Sequence, residues 1–157
     1  VDVIDIGMVA TPIMYFGVKF LTTDGGAAVT ASHNPAEYNG FKGRKRTADG
    51  LNAPLNSTDI QELYRIIESG QFHDGKGELS QRPLNDSYIK YIVDTIKVER
   101  PLKVVIDPGN GATGPTAMKV YKALGCDVSG IYIEPDGNFP HHLPNPLKDE
   151  FVVDLIA

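Results

Sequence analysis

The sequence predicts an α/β protein in which layered, mixed sheets are flanked by helices. Short apolar runs alternate along the chain with segments whose apolar residues recur every three or four positions. Turn signals such as Asp24-Gly25-Gly26 and Asp49-Gly50 separate these segments. With 157 residues, of which 41% are hydrophobic and 22% charged, the composition is that of a globular protein with one domain, or two at most.

The first two elements are predicted to be a strand and a helix. Residues 1–6 alternate between apolar and acidic side chains like a strand, with Val1 and Val3 facing a core. Thr11-Pro12 favours a helix start, because threonine caps well and proline suits the first helical position. The helix is predicted over Pro12–Leu21.

A hairpin is predicted next. The apolar run Ala27-Ala28-Val29 predicts a buried strand over Gly26–Ala31, and Phe41–Thr47 predicts a second strand. Asn39-Gly40 turns the chain between them. Such a return would bring Lys42 back near the end of the first strand.

An amphipathic helix and a polar linker follow the hairpin. Ser57 is predicted to cap a helix over Thr58–Ser69 that ends at Gly70. Its apolar stripe consists of Ile60, Leu63, Ile66 and Ile67. The polar, glycine-bearing segment Gln71–Pro83 is the best linker candidate, so we place a domain boundary near Arg82.

The second half of the chain repeats the alternation of helices and strands. The predicted elements are a helix capped by Asn85 or Asp86 that runs to about Lys97, a strand at Lys103–Ile106, a helix at Pro115–Leu124, a strand at Asp127–Ile133 and a final helix from near Lys148.

Charge and cysteine content exclude several classes of protein. The net charge of −5 argues against a general binder of nucleic acid or of anionic membranes. The single cysteine, Cys126, allows no intrachain disulfide and no zinc cluster, which fits a cytoplasmic protein. The chain starts at Val1 and stops inside an apparent helix at Ala157, so we expect it to be a piece of a longer protein.

The segment Thr30-Ala31-Ser32-His33-Asn34-Pro35 carries the strongest candidate for chemistry. Pro35 disfavours helix at Asn34, so the chain leaves the strand through a loop that presents a serine hydroxyl. An ordinary polar turn would use the same residue types. However, the hexapeptide followed by Tyr38-Asn39-Gly40-Phe41-Lys42 resembles the active-site serine loop of the α-D-phosphohexomutases, the phosphomannomutases and phosphoglucomutases.

The resemblance implies a function and a role for four residues. Ser32 would carry the phosphoryl group that is passed to a hexose phosphate, and its phosphate would be one ligand of Mg²⁺. Lys42 would stabilise the phosphate charge, while His33 and Asn34 would orient the loop and assist. We interpret the neighbouring cations Arg44, Lys45 and Arg46 as solvent-exposed side chains on a strand at the edge of a sheet.

The resemblance also divides the chain into two incomplete domains. Residues 1–82 would be the later part of the family's first domain, and 83–157 a second domain that stops before the metal-binding loop. No Asp-Gly-Asp-Gly-Asp-Arg segment is present, and neither are the family's sugar-binding and C-terminal phosphate-binding loops. We therefore expect these residues alone to be inactive, and nothing in them selects mannose over glucose.

A second glycine loop offers a competing interpretation. Gly109–Gly114 matches G-x-G-x-x-G after a strand and before a helix, and the next strand ends at Glu134, as in dinucleotide-binding folds. Against this, Asp107-Pro108 crowds the usual tight turn. The run from Val104 to Gly111 also resembles the opening of the phosphohexomutase second domain, where the glycines serve turns and packing.

Three further assignments remain open or are set aside. His141-His142 lacks a spaced third ligand, so we interpret the pair as structural. A non-catalytic sugar-phosphate binder stays an alternative. A serine hydrolase is disfavoured, because Ser32 and His33 would point apart in an extended chain.

Overall fold

The structure, a computed structural model, describes all residues from 1 to 157 and confirms an α/β fold. In chain order the elements are β1 (Val3–Asp5), α1 (Thr11–Phe20), β2 (Gly25–Val29), β3 (Phe41–Arg46), β4 (Asn52–Pro54), α2 (Ser57–Ser69), β5 (Leu79–Gln81), α3 (Asn85–Thr95), β6 (Lys103–Ile106), α4 (Gly114–Ala123), β7 (Asp127–Gly130) and α5 (Val153–Ile156), with a 3-10 turn at Asp149–Phe151. None of these helices has the length and apolar character needed to cross a membrane.

The residues form two compact units. The first consists of Val1–Gly7, Thr11–Val29 and Phe41–Pro83. The second consists of Met8–Ala10, Thr30–Gly40 and Leu84–Ala157. The domain boundary placed near Arg82 stays a prediction.

Helix α1 supplies the core of the first unit. It lies against an antiparallel sheet of order β2-β3-β4, and its side chains Ile13, Met14 and Val18 are buried. Gly26 of β2 allows this close approach, since a Cβ atom there would lie 2.6 Å from Val18 Cγ2. The predicted helix and the predicted hairpin of β2 and β3 are therefore both confirmed, and β4 is an additional strand.

Two burial expectations in this unit are wrong. Val1 and Val3 are exposed, because β1 pairs in parallel only with β5 and no other element covers that side. Val29 is also exposed, because it lies on the face of β2 opposite to Gly26, which contacts α1, and no other layer covers that face. The segment predicted as a linker contains β5.

Helix α2 begins one residue earlier than predicted. Asn56, not Ser57, is the cap: its side-chain oxygen accepts from the Asp59 N–H at 3.0 Å, and Asp59 Oδ2 accepts from the Asn56 N–H at 3.0 Å. This reciprocal capping box satisfies two otherwise unpaired donors. Gly70 ends the helix in the left-handed conformation, with φ of 64°, as predicted.

The apolar stripe of α2 has no partner in this chain. Its members are exposed, and no other element packs extensively against the helix. The stripe residues are Ile60, Leu63, Ile66 and Ile67. Beyond its own caps, α2 is held by the ion pair between Lys45 and Asp59.

The second unit is built on a parallel β6-β7 pair joined through α4. Helix α3 packs on α4, and the Thr116 hydroxyl donates to Asn85 Oδ1 at 2.9 Å. Because α3 begins at Asn85, neither Asn85 nor Asp86 is its cap, contrary to expectation; Leu84, only 1% exposed, occupies that position without a side-chain cap. Strand β7 ends at Gly130 instead of Ile133, since Tyr132 has φ of 52°, which extended strands do not adopt.

The capping assignment of α2 is testable by exchanging one side chain. Asn56→Ala removes the side chain that satisfies the Asp59 N–H, and we expect it to destabilise the helix by about 1 kcal/mol. Amide hydrogen exchange across Ile60–Leu63 would measure this as faster exchange. The control is Ser57→Ala, which we expect to change exchange little; faster exchange in Ser57→Ala with an unchanged Asn56→Ala would contradict the assignment.

Candidate functional site

The loop that carries Ser32 is tied at its base and folded by two internal turns. The Thr30 N–H donates to the Gly40 carbonyl at 2.9 Å. Within the loop, the Asn34 N–H donates to the Ala31 carbonyl at 3.2 Å, and the Tyr38 N–H donates to the Pro35 carbonyl at 3.0 Å. These backbone bonds give the segment a defined shape although it contains no helix or strand.

Ser32 occupies the most constrained position of this loop. Its φ is 62°, a left-handed conformation that costs a non-glycine residue free energy. Ser32 is the second residue of the turn closed between Ala31 and Asn34, a position where a positive φ normally selects glycine. The Ser32 N–H donates to Thr30 Oγ1 at 3.0 Å, and the residue is exposed to solvent. The structure therefore presents this side chain at the surface.

His33 lies beside the serine, which the extended-chain argument did not predict. Its Nδ1 is 3.4 Å from Ser32 Oγ, because the left-handed backbone at Ser32 breaks the alternation of an extended chain. His33 hydrogen-bonds to no carboxylate that would fix its ring as in a hydrolase triad. Asn34 follows in the same turn and is exposed.

Lys42 is part of β3 and half-buried. It pairs across the hairpin with Ala28, on the strand that leads into the serine loop. The next two cations on β3 make structural contacts, and the interpretation of this segment as an edge strand is wrong, because β3 lies between β2 and β4. Arg44 lies over the Tyr15 ring at 4.5 Å and donates to Asn52, while Lys45 bonds Asp59.

The amide N–H groups of the second glycine loop are hydrogen-bonded to other atoms of the protein. The N–H groups of Gly109, Asn110, Gly111 and Gly114 donate respectively to Asp107 Oδ1, Tyr132 O, Pro108 O and Gly111 O. A dinucleotide-binding loop needs its amides and its helix N-terminus open to the pyrophosphate. This geometry argues against a dinucleotide site at Gly109–Gly114.

The glycines of that loop instead permit close packing. A Cβ on Gly114 would lie 2.1 Å from the Ile133 carbonyl oxygen and 3.0 Å from Pro108 Cγ. A Cβ on Gly109 would lie 2.9 Å from His142 Cε1. Both positions therefore exclude any side chain.

The two adjacent histidines hold the glycine loop in place. His141 Nδ1–H donates to Asn110 Oδ1 at 2.8 Å, and the His141 ring stacks on Tyr132 at 3.8 Å. His142 Nε2 lies 3.0 Å from Asp107 Oδ2, and its Nδ1 lies 3.0 Å from the Leu143 carbonyl oxygen. The pair is structural, as the sequence indicated.

His142 faces acceptors with both ring nitrogens, so it satisfies both bonds only as an imidazolium. Burial by itself would lower the pKa of His142. The bonds to Leu143 and Asp107 and the charges of Asp107 and Asp154 have a larger effect in the opposite direction, so the pKa is raised above the ordinary histidine value of 6.5. The side chains of Asp107 and His142 are only 2% and 13% exposed.

No group of three or more histidine, cysteine, aspartate or glutamate side chains in the chain is arranged to hold a metal ion. The donors that magnesium prefers are carboxylate and phosphate oxygens. The residues present therefore do not form a cluster of side chains that would hold magnesium by themselves.

Comparison with known proteins gives the same family for both halves. The family model for phosphoglucomutase/phosphomannomutase alpha/beta/alpha domain I matches residues 1–74, and that for domain II matches residues 86–157. A phosphomannomutase/phosphoglucomutase of Pseudomonas aeruginosa is 42% identical over 99% of this chain and 33% of its own. A phosphoglucomutase of Neisseria gonorrhoeae is 40% identical over 100% of this chain and 34% of its own.

A solved structure agrees with these sequence matches. The crystal structure of a phosphoglucomutase/phosphomannomutase family protein from Burkholderia thailandensis superposes with a TM-score of 0.89 at 41% identity. It covers 99% of this chain and 35% of the other. The chain thus spans about a third of the length of the curated relatives it matches.

The packing role of Gly114 is testable with one added methyl group. Gly114→Ala forces a carbon against a backbone oxygen that cannot move cheaply, and we expect a loss of about 2 kcal/mol in the free energy of unfolding. Urea denaturation would measure it. Gly137→Ala is the control, because a Cβ there meets nothing within 4 Å; equal midpoints for the two variants would contradict this role.

The ion pair of His142 predicts a pH dependence of stability. Because the pKa of His142 in the folded protein lies above the ordinary value of 6.5, the ion pair contributes fully to the stability of the fold below pH 6.5. This contribution is lost as the pH rises through the folded pKa. Histidine NMR titration would locate that pKa, and urea unfolding across the same range would follow stability. In Asp107→Asn we expect the pKa of His142 to fall and this loss of stability to shrink; an unchanged titration would contradict the pairing.

Proposed function

Since the chain belongs to the phosphoglucomutase/phosphomannomutase family, we propose that it is the serine-bearing third of a phosphohexomutase that interconverts the 1- and 6-phosphates of mannose or glucose. The observation that carries the proposal is Ser32, exposed at a left-handed position of a closed loop. Backbone strain of this kind concentrates at functional sites. The substrate class follows from the names of the relatives, which are phosphomannomutases and phosphoglucomutases.

The proposed reaction passes one phosphoryl group through Ser32. A sugar hydroxyl attacks phosphorus, the bond between phosphorus and Ser32 Oγ breaks, and the proton lost by the sugar hydroxyl is balanced by one gained at Ser32 Oγ, so the sugar becomes a bisphosphate. The Ser32 hydroxyl then attacks the other phosphate of this bisphosphate, the bond between that phosphorus and the sugar oxygen breaks, and the proton moves back from Ser32 Oγ to the sugar oxygen. Phosphorus keeps its oxidation state throughout, and positioning together with charge neutralisation lowers the barrier.

Three further residues assist this transfer. We assign to His33 the transfer of a proton to the serine oxygen as it leaves; the distance of 3.4 Å between His33 Nδ1 and Ser32 Oγ supports this role. The Asn34 amide can donate to phosphate oxygens from the same turn. Lys42 supplies the positive charge that the transferred phosphoryl group requires, a role that rests on the family resemblance.

We also propose a Mg²⁺ cofactor, which would supply positive charge at the phosphate when bound. Ser32, once phosphorylated, is the ligand that this chain offers, and the remaining ligands would come from residues outside it. For that reason we expect residues 1–157 alone to complete no catalytic cycle. With one cysteine and hence no intrachain disulfide, the cytoplasm remains the proposed location.

The first experiment asks whether Ser32 carries phosphate. The full-length protein would be incubated with a hexose 1,6-bisphosphate and Mg²⁺, and its Ser32 peptide analysed by mass spectrometry. We expect phosphate at Ser32 that disappears when a hexose monophosphate is added. Ser32→Ala should lose both phosphate and mutase activity, with at least about a 1,000-fold drop in rate because the carrier atom is gone.

The matched control is Ser57→Ala, at an exposed serine on α2, which should retain phosphate at Ser32 and activity.

Two outcomes would oppose the proposal. A sugar phosphate that binds while Ser32 stays unmodified would favour a non-catalytic binder. Covalent labelling of Ser32 by an acyl-transfer probe would favour a hydrolase.

A further inference from the structure

We propose that Thr30 is a positioning residue for phosphoryl transfer at Ser32. Its hydroxyl holds the backbone of Ser32 in the conformation that presents the serine oxygen. This inference rests on the proposed function of Ser32 as the phosphoryl carrier. Thr30 itself need not touch the sugar or the phosphate, and neither the composition nor the loop motif indicated a separate role for it.

The argument begins with the strain at Ser32. A serine with φ of 62° would relax toward negative φ unless its surroundings oppose the change. In the turn between Ala31 and Asn34, His33 has no positive φ, so Ser32 alone carries the left-handed conformation. A bond to the Ser32 amide is therefore well placed to oppose relaxation.

Thr30 makes that bond. Its Oγ1 accepts from the Ser32 N–H at 3.0 Å, the normal length for an N–H to oxygen hydrogen bond. The Ser32 N–H belongs to the peptide plane between Ala31 and Ser32. In a loop closed at its base, φ of Ser32 can change sign through a flip of that plane, which would turn the N–H away from Thr30 Oγ1 and break the bond. The threonine hydroxyl thus opposes the relaxation that would displace Ser32 Oγ.

Thr30 is itself held firmly enough to do this. Its N–H donates to the Gly40 carbonyl at 2.9 Å at the base of the loop, and the residue is half-buried. A β-branched side chain has restricted χ1, so the direction of the hydroxyl is defined. The constraint at Ser32 is therefore anchored in the loop base, not in a mobile tip.

The consequence concerns the rate and not the affinity. Phosphoryl transfer depends on the position of the attacking or leaving oxygen, and a displacement of about 1 Å can cost about 100-fold in rate. Sugar binding involves other groups, so loss of the Thr30 hydroxyl should leave KM nearly unchanged.

The test compares two substitutions of Thr30 in the full-length protein. Thr30→Val keeps the shape and removes the acceptor, and we expect kcat and the rate of Ser32 phosphorylation by a hexose bisphosphate to fall about 10- to 100-fold. KM should change by less than about threefold. Thr30→Ser restores the hydroxyl and should recover kcat to within about threefold of wild type.

A matched control removes a hydroxyl elsewhere. Thr95 is exposed on α3 and its hydroxyl donates to the Tyr91 carbonyl, so Thr95→Val should keep wild-type kcat. Wild-type kcat in Thr30→Val, or equal losses in Thr30→Val and Thr30→Ser, would overturn the proposal.

A second measurement does not depend on the variants folding. Amide exchange on the wild-type protein should show the Ser32 N–H protected, and exchange at the rate of an unfolded peptide would overturn the proposal. Absence of phosphate on wild-type Ser32 would overturn the proposed function and this role together. Phosphate on wild-type Ser32 with an unimpaired Thr30→Val would overturn the role of Thr30 alone.

Discussion

The hydrogen bond from the Thr30 N–H to the Gly40 carbonyl is the constraint on which the candidate site depends. It closes the serine loop at its base, so the turns inside it have fixed ends. A loop of this length without that closure would sample many conformations, and ordering it at each turnover would oppose catalysis. The left-handed conformation of Ser32 has a free-energy cost, and it persists because the surrounding loop is fixed.

A comparable constraint organises the glycine loop of the second unit. There the fixed points are side chains: Asp107 bonds both the Gly109 N–H and the His142 ring, and Asn110 bonds both His141 and the Glu134 carbonyl. A glycine pattern shared with dinucleotide-binding proteins thus serves packing here. The same G-x-G-x-x-G pattern can therefore belong to a phosphate-binding loop or to a packed structural loop. The two differ in whether the amide hydrogens are open to a ligand or bonded within the protein.

Much of the fold could be predicted from the sequence, because α1, α2 and the β2-β3 hairpin have strong local patterns and clear stop signals. Burial could not be predicted at Val1, Val3 and Val29, since it depends on whether another layer covers the strand. Within the site, the motif identified the serine and its neighbours. It could not reveal the left-handed backbone that brings His33 beside Ser32, because no glycine marks that position.

The bare apolar stripe of α2 has a consequence for how the chain behaves over time. A helix held by its own ends and one ion pair shares little of the cooperative stability of the sheet beside it. It should therefore open and close independently while α1 and its strands stay folded. A protease would cut within Ser57–Ser69 when the helix is open, leaving the serine loop and its hairpin on a single intact piece.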